Sequence, residues 1–237
     1  MTFTDADNAA LYDRLNPWKG ADADFYDPLV DEARDVLDVG CGTGQMLISA
    51  RERGHAGRLV GVDPDLAALE RARGRARGGV EWVPGKASGM RWQGEFDLAV
   101  MSSNAFQCFV TDEDLRESLR AIRTALRPGG RFAFDTRYPG AREWERWAQS
   151  DFEIDDLTIT YRIESVEDGV VTFAESTSRG GEVVRCDRAS LRFLEVEELN
   201  GFLAEAGFVA EGQFGDWERG PITSLSRSVV TVCRASA

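Results

Sequence analysis

Short apolar runs alternate with amphipathic segments through the first half of the chain. Five runs rich in Val, Leu and Phe begin near positions 36, 59, 80, 96 and 131 and predict buried strands. Between the last two runs, Leu115, Leu119, Ile122 and Leu126 recur at intervals of four, three and four, which places them on one helical face. Strands and helices in alternation predict an α/β fold with a doubly wound, mostly parallel sheet.

The pattern changes after Asp135. Between positions 157 and 163 apolar and polar residues alternate with a period of two, and Asp168-Gly169 and Gly180-Gly181 follow as hairpin turn pairs. We therefore predict an inserted antiparallel β meander over 151–194 that forms a cap. A helix over 195–206 and strands over 208–214 and 228–233 are predicted to complete the main sheet. We prefer a single domain, 1–237, to two domains because no linker is visible.

Composition and charge narrow the class of partner. The 237 residues are 43% apolar, and 41 acidic against 28 basic side chains give a net charge of −13. That charge argues against binding to nucleic acid or to an anionic membrane. The chain has neither a signal-like N-terminus nor a membrane-length apolar stretch, so we expect a cytoplasmic protein. The spacing of the four cysteines predicts free thiols and no metal site.

A glycine-rich turn follows the first predicted strand, in the sequence Asp38-Val39-Gly40-Cys41-Gly42-Thr43-Gly44. Glycines at alternate positions let the backbone bend sharply and let a ligand lie against main-chain amides. Asp63 ends the second predicted strand, 19 residues after Gly44. A carboxylate at that point can accept hydrogen bonds from ribose hydroxyls. The turn and Asp63 together predict a nucleoside-binding site.

The glycine spacing argues against a nicotinamide oxidoreductase. A dinucleotide-binding turn needs G-x-G-x-x-G, whereas here the spacing is G-x-G-x-G and Gln45 follows. A Tyr-x-x-x-Lys pair is also absent, because Leu15 and Trp82 stand four residues before the two lysines. We keep this class only as a remote alternative.

The chain resembles the class I S-adenosylmethionine-dependent methyltransferases of small-molecule type. The resemblance is carried by Asp38 to Gly44, by Asp63, by Phe96-Asp97-Leu98 and by Leu126 to Gly130, while Tyr12 to Trp18 resembles the segment that closes over the methionine end of the cofactor. It implies a Rossmann-like sheet of seven strands with an antiparallel last strand. It also implies S-adenosylmethionine as cofactor and S-adenosylhomocysteine as product.

The same resemblance implies a set of cofactor-binding residues. They are Tyr12, Trp18, Asp38, Gly40, Gly42, Gly44, Asp63, Pro64, Lys86, Ala87 and Ser103. Lys86 departs from the family pattern, in which an Asp accepts a hydrogen bond from the adenine amine. A lysine cannot accept that bond, so either backbone amides and Ser88 bind the adenine or cofactor affinity is lowered. The alternative is that Lys86 points to solvent.

Residues after the fourth and fifth predicted strands are candidates for the acceptor pocket, because ligands bind at this edge of open α/β sheets. They are Asn104, Asp135, Arg137 and Tyr138, with no catalytic role assigned. A turn is the alternative role for Asn104, and a surface ion pair is the alternative for Arg137. The only histidine, His55, lies at a predicted helix end and is expected to cap it.

These observations predict a methyltransferase that moves a methyl group by in-line displacement to a small-molecule acceptor at N, O or C. The motifs of adenine and cytosine methyltransferases are absent, which again argues against nucleic acid. Arg71, Arg73, Arg75 and Arg77 are expected to form a solvated helix surface. The alternative function is an S-adenosylmethionine-binding protein without turnover, and the chain is expected to be a monomer or a homodimer.

Overall fold

A computed structural model describes residues 3–147, 149 and 151–236. The strands are β1 (Val36–Val39), β2 (Leu59–Asp63), β3 (Glu81–Pro84), β4 (Phe96–Met101), β5 (Leu126–Arg137), β6 (Phe152–Ile154), β7 (Leu157–Glu167), β8 (Val170–Arg179), β9 (Glu182–Arg192), β10 (Phe208–Phe214) and β11 (Ser228–Ala235). The α-helices are α1 (Asp5–Leu15), α2 (Ala21–Glu32), α3 (Gln45–Glu52), α4 (Leu66–Arg75), α5 (Asp112–Ala125), α6 (Trp144–Trp147) and α7 (Val196–Glu205).

Seven strands form the larger sheet, in the order β10-β11-β5-β4-β1-β2-β3. Strands β1 to β5 pair in parallel, and β11 runs antiparallel to both β5 and β10. The predicted α/β fold with an antiparallel last strand is confirmed. Every residue of β1 and β2 is buried, as expected for parallel strands whose two faces are both covered by helices.

Apolar side chains cover both faces of this sheet. Helices α5 and α7 pack on one face, where Phe132 and Phe134 of β5 are fully buried. Helices α2 and α3 pack on the other, where Tyr26 and Leu47 are fully buried. The core therefore surrounds the central strands, and their carboxyl ends stay available at one edge of the sheet.

The helix before β5 ends earlier than the sequence predicts. Thr111 caps α5 by accepting a hydrogen bond from the amide of Asp114 at 3.2 Å, as expected. The helix stops at Ala125, however, and Leu126 belongs to β5 instead of to the helical face. The prediction was wrong here because apolar spacing does not distinguish a last helical turn from the first residue of a buried strand.

The four-stranded sheet β6-β7-β8-β9 is antiparallel and spans 152–192. Both predicted hairpin turns are present, and Asp168 and Gly169 each have a positive φ, as tight hairpins require. Leu157 and Ile159 of this sheet pack against Phe3 and Leu11 at the N-terminus. That the sheet acts as a cap, and that one domain spans 1–237, stay predictions; Met1 and Ala237 lie outside the described residues.

No helix in the described ranges is both long enough and apolar enough to cross a membrane.

Candidate functional site

A cavity of about 480 Å³ lies at the carboxyl ends of β1, β2 and β4. Eight of the predicted cofactor-binding residues line it: Tyr12, Gly40, Gly42, Asp63, Pro64, Lys86, Ala87 and Ser103. Asn8 and Ala9 of α1 also line it, as does Leu191 of β9, and no motif in the sequence indicated these three. The cavity is therefore built from the sheet edge, the N-terminal helix and the smaller sheet.

The glycines of the turn have conformations that other residues adopt with strain. Gly40, Gly42 and Gly44 have φ angles of +77°, +51° and +71°. A Cβ on Gly44 would lie 2.2 Å from the ring of Trp82, whereas a Cβ on Gly42 would meet no atom within 4 Å. Gly44 is thus required for packing behind the turn, and Gly42 leaves its backbone open to the cavity.

Asp63 is held in place by two backbone amides. One of its oxygens accepts from Gly42 at 2.7 Å and the other from Asp65 at 2.8 Å. Burial raises the pKa of Asp63, and these two hydrogen bonds oppose the rise. Each oxygen keeps further acceptor capacity toward the cavity, so the carboxylate fits a ligand that presents two hydroxyl groups, as a ribose does.

Three predicted cofactor-binding residues lie behind the cavity wall. Gly44 packs against Trp82. Asp38 is 2% exposed, and one of its oxygens has no partner among the described residues. Burial, followed by the charge of Asp63, raises the pKa of Asp38 to about 8. Trp18 is half-buried, and its indole N–H donates to Asp27 at 3.0 Å. These residues support the site and do not line it.

Helix α1 is anchored over the cavity through Asp13. This carboxylate accepts hydrogen bonds from the hydroxyl of Thr43 and from Arg71, and it accepts from Arg75 at 2.7 Å. Arg75 is exposed, as predicted, whereas Arg71 is only partly exposed because α1 folds back onto α4. The anchor keeps Tyr12 on the cavity wall, where desolvation raises its pKa.

A second cavity, of about 690 Å³, adjoins the first. Asn104 and Arg137 line both cavities, Asp135 lines only the second, and Tyr138 lines neither. Much of its wall comes from the 215–228 segment, which joins β10 to β11 and includes the first residue of β11. Three of the four predicted acceptor-pocket residues are thus brought together, and the sequence held no indication that the 215–228 segment would join them.

The turn after β4 is strained and is held by a buried carboxylate. Ser103 and Asn104 have φ angles of +56° and +61°, which non-glycine residues rarely adopt. Asp135, 2% exposed, accepts from the Asn104 amide at 2.9 Å and from the Tyr26 hydroxyl at 2.8 Å. Burial raises the pKa of Asp135 to about 6 although both hydrogen bonds oppose the rise. Asn104 therefore forms a turn and also lines the cavities.

Comparison with known proteins identifies the family. A family model described as a methyltransferase domain matches residues 36–130, from β1 into β5. The chain is 29% identical over 216 residues to the cypemycin N-terminal methyltransferase of a Streptomyces species, covering 85% of this chain and 83% of that protein. Residues 36–130 therefore form a methyltransferase domain of the class I S-adenosylmethionine-dependent type. S-adenosylmethionine is accordingly its methyl donor.

Solved structures agree with this methyltransferase in fold. An S-adenosylmethionine-dependent methyltransferase from Clostridium acetobutylicum superposes with a TM-score of 0.82 at 17% identity, covering 97% of this chain and 98% of that one. CalS10, an amino pentose methyltransferase from Micromonospora echinaspora solved with S-adenosylmethionine bound, gives 0.68 at 20% identity, covering 97% and 96%. The family excludes the nicotinamide alternative, and it argues against a binding protein without turnover.

The only histidine of the methyltransferase lies away from both cavities. Its ring Nε2 is 2.8 Å from the carbonyl oxygen of Ala33, the residue directly after α2. The predicted capping role therefore falls on a neighbouring helix and not on the helix that precedes His55. Lys86 is exposed on the cavity wall. Within the described ranges, no three His, Cys, Asp or Glu side chains form a metal-binding group.

Proposed function

We propose that the methyltransferase transfers the methyl group of S-adenosylmethionine to an amine nitrogen of a small-molecule acceptor. The observation that supports this most strongly is that the two cavities share Asn104 and Arg137 as wall residues. A cofactor in the first cavity and an acceptor in the second would meet beside the turn after β4. A second cavity of about 690 Å³ suits a metabolite-sized ligand.

The cofactor residues follow from the geometry of the first cavity. Asp63 would accept hydrogen bonds from the ribose hydroxyls, and the open backbone at Gly42 would lie against the ligand. Tyr12 and Ser103 would face the sulfonium end, and Lys86 would lie beside the adenine. When bound, the cofactor supplies a methyl group that is already activated on sulfur. The protein then has to align the acceptor with that methyl group and exclude water.

An amine acceptor requires the least from these residues. A neutral amine attacks without losing a proton first, whereas a hydroxyl needs a general base. No histidine of the described chain lines either cavity, and Asp135 is 2% exposed and uses its two oxygens to hold the Tyr26 hydroxyl and the turn after β4. The name of the cypemycin N-terminal methyltransferase points to the same kind of acceptor atom.

Cofactor binding is tested with a matched pair of charge-removing variants. Asp63→Asn removes the buried carboxylate, and Glu70→Gln removes an exposed one from α4. Calorimetric titration with S-adenosylhomocysteine should give one site per chain, weakened at least about tenfold in Asp63→Asn and unchanged in Glu70→Gln. The absence of binding at millimolar ligand, or equal affinity in both variants, would contradict the assignment.

The acceptor atom is tested by product chemistry. The enzyme is incubated with methyl-¹³C-labelled cofactor and a pool of small amines, alcohols and phenols, and the label is located by NMR. A signal at the chemical shift of an N-methyl group is expected. A label found only on oxygen or carbon would overturn the amine assignment while leaving methyl transfer itself in place.

A further inference from the structure

Arg137 carries a positive charge at the junction of the two cavities. Its backbone amide and one guanidinium nitrogen, Nη1, both donate to the side-chain oxygen of Gln107 at 3.2 Å. The guanidinium lies 5.0 Å above the ring of Trp147, which holds it on one face. Its Nε and Nη2 have no acceptor within the part of the chain that the structure describes.

The free N–H groups of Arg137 face open space. Arg137 is half-buried and lines both cavities. Within the described ranges, none of its nitrogens is both enclosed and without a hydrogen-bond partner. A guanidinium has five N–H groups in a planar fork, which matches the two oxygens of a carboxylate. Burial lowers the pKa of Arg137, and the nearby charges of Asp135 and Glu143 oppose the fall.

The neighbouring carboxylates are already engaged by other groups. Glu143 accepts two hydrogen bonds from Arg227, at 2.7 and 2.9 Å. Asp135 accepts from the Tyr26 hydroxyl and the Asn104 amide. Neither makes an ion pair within 4.0 Å of Arg137 in the described chain. An incoming anion therefore does not have to displace an internal one.

We infer that Arg137 binds a carboxylate group of the methyl acceptor, so that the substrate is an amine that also carries a carboxylate. This inference rests on the proposed function and names its substrate class. A single cation flanked by Asp135 and Glu143 favours a singly charged group over a doubly charged phosphate. The carboxylate anchors one end of the acceptor at Arg137, and the amine reaches toward the first cavity.

The test uses probes that report binding and need no turnover. Each probe is an analogue of S-adenosylmethionine in which nitrogen replaces the sulfonium sulfur and carries an alkyl arm of two to five methylenes. The arm ends in a carboxylate in one series and in a carboxamide in the other. If Arg137 binds a carboxylate, one arm length should make the carboxylate probe bind at least about tenfold more tightly than its carboxamide twin.

Variants locate that preference. The preference for the carboxylate probe should disappear in Arg137→Gln and shrink in Arg137→Lys, which keeps the charge but not the planar fork. It should persist in Arg162→Gln, which removes an exposed arginine. Equal affinity of both series at every arm length would overturn the inference without relying on any variant. If the probe without an arm fails to bind, the proposed function fails instead, so the two failures are distinguishable.

The carboxylate of the cofactor itself is the other source of an anion. S-adenosylhomocysteine carries that group, and 5′-methylthioadenosine lacks it. Arg137→Gln should leave the affinity of both unchanged, which also shows that the variant is folded. A loss of about tenfold or more for S-adenosylhomocysteine alone would assign Arg137 to the cofactor and overturn the inference.

Discussion

Replacing Asp135 with asparagine should change how the stability of the enzyme depends on pH. The pKa of this carboxyl rises from an ordinary value of 3.8 to about 6 because it is buried. The folded chain therefore holds a proton between these pH values that the unfolded chain has released. Its free energy of unfolding accordingly falls as pH rises through this window and levels off above it. The gap corresponds to about 3 kcal/mol.

The asparagine variant lacks this titration but keeps the shape of the side chain. Its amide oxygen can accept from the Asn104 amide, and its NH₂ group can donate to Tyr26 once that hydroxyl turns. Burial raises the pKa of Tyr26 well above its usual value, so the hydroxyl stays protonated throughout. Any change in hydrogen-bond strength alters the free energy of unfolding by the same amount at every pH. The loss of the Asp135 titration, in contrast, alters it by an amount that depends on pH.

The assay is urea denaturation of the wild type and the Asp135→Asn variant from pH 4 to pH 8. The difference in free energy of unfolding should move in favour of the variant by about 2 kcal/mol between pH 4 and pH 8, because part of the full effect lies below pH 4. Asp168→Asn is the control, because Asp168 is exposed and its φ of +49° suits asparagine as well. A difference for Asp135→Asn that stays constant across this range would refute the reasoning.

Two further predictions concern the glycine turn and the N-terminal helix. Gly44→Ala should lower the free energy of unfolding by about 2–5 kcal/mol, since it adds a clash with Trp82 to an unfavourable φ. Gly42→Ala, which adds only the unfavourable φ, should lower it by about 1–2 kcal/mol, and urea denaturation measures both values. Asp13→Asn should release α1 from Arg75, so that limited proteolysis cleaves the first 15 residues faster than in Asp24→Asn, an exposed control on α2; equal cleavage rates would contradict this role.

The sequence was sufficient to predict the larger sheet because each of its strands leaves a local pattern of apolar residues. The run from Val36 to Val39 is apolar enough to be buried on both faces, and its bounds were predicted correctly. Leu126 was misassigned because it continues the regular spacing of Leu115, Leu119 and Ile122 on the helical face. The limits of β5 depend on pairing with β4 and β11, which are distant in the chain and leave no periodic trace near Leu126.

The candidate site was predicted less completely because a sequence motif predicts where the backbone runs but not which way each side chain points. The motif correctly placed Asp63 beside the cavity, since Asp63 is the last residue of β2 and the cavity lies at the carboxyl ends of the strands. Trp18 was assigned by likeness of its segment, yet its ring turns toward Asp27 because α2 offers an apolar surface there. The second cavity depends on the 215–228 segment, whose path is set by contacts with residues far away in the sequence.

Net charge and local charge lead to different conclusions about the acceptor. A net charge of −13 argues against large anions, and on its own it would also disfavour a carboxylate-bearing substrate. Many basic residues, however, are engaged in ion pairs on the surface, as Arg58 is with Glu81 and Glu95, and have little effect inside a cavity. Arg137 is half-buried and has no such pair in the described chain, so its charge acts at short range on whatever enters. The charge of Arg137, and not the net charge of −13, therefore sets the preference for a small carboxylate that we propose inside the cavity.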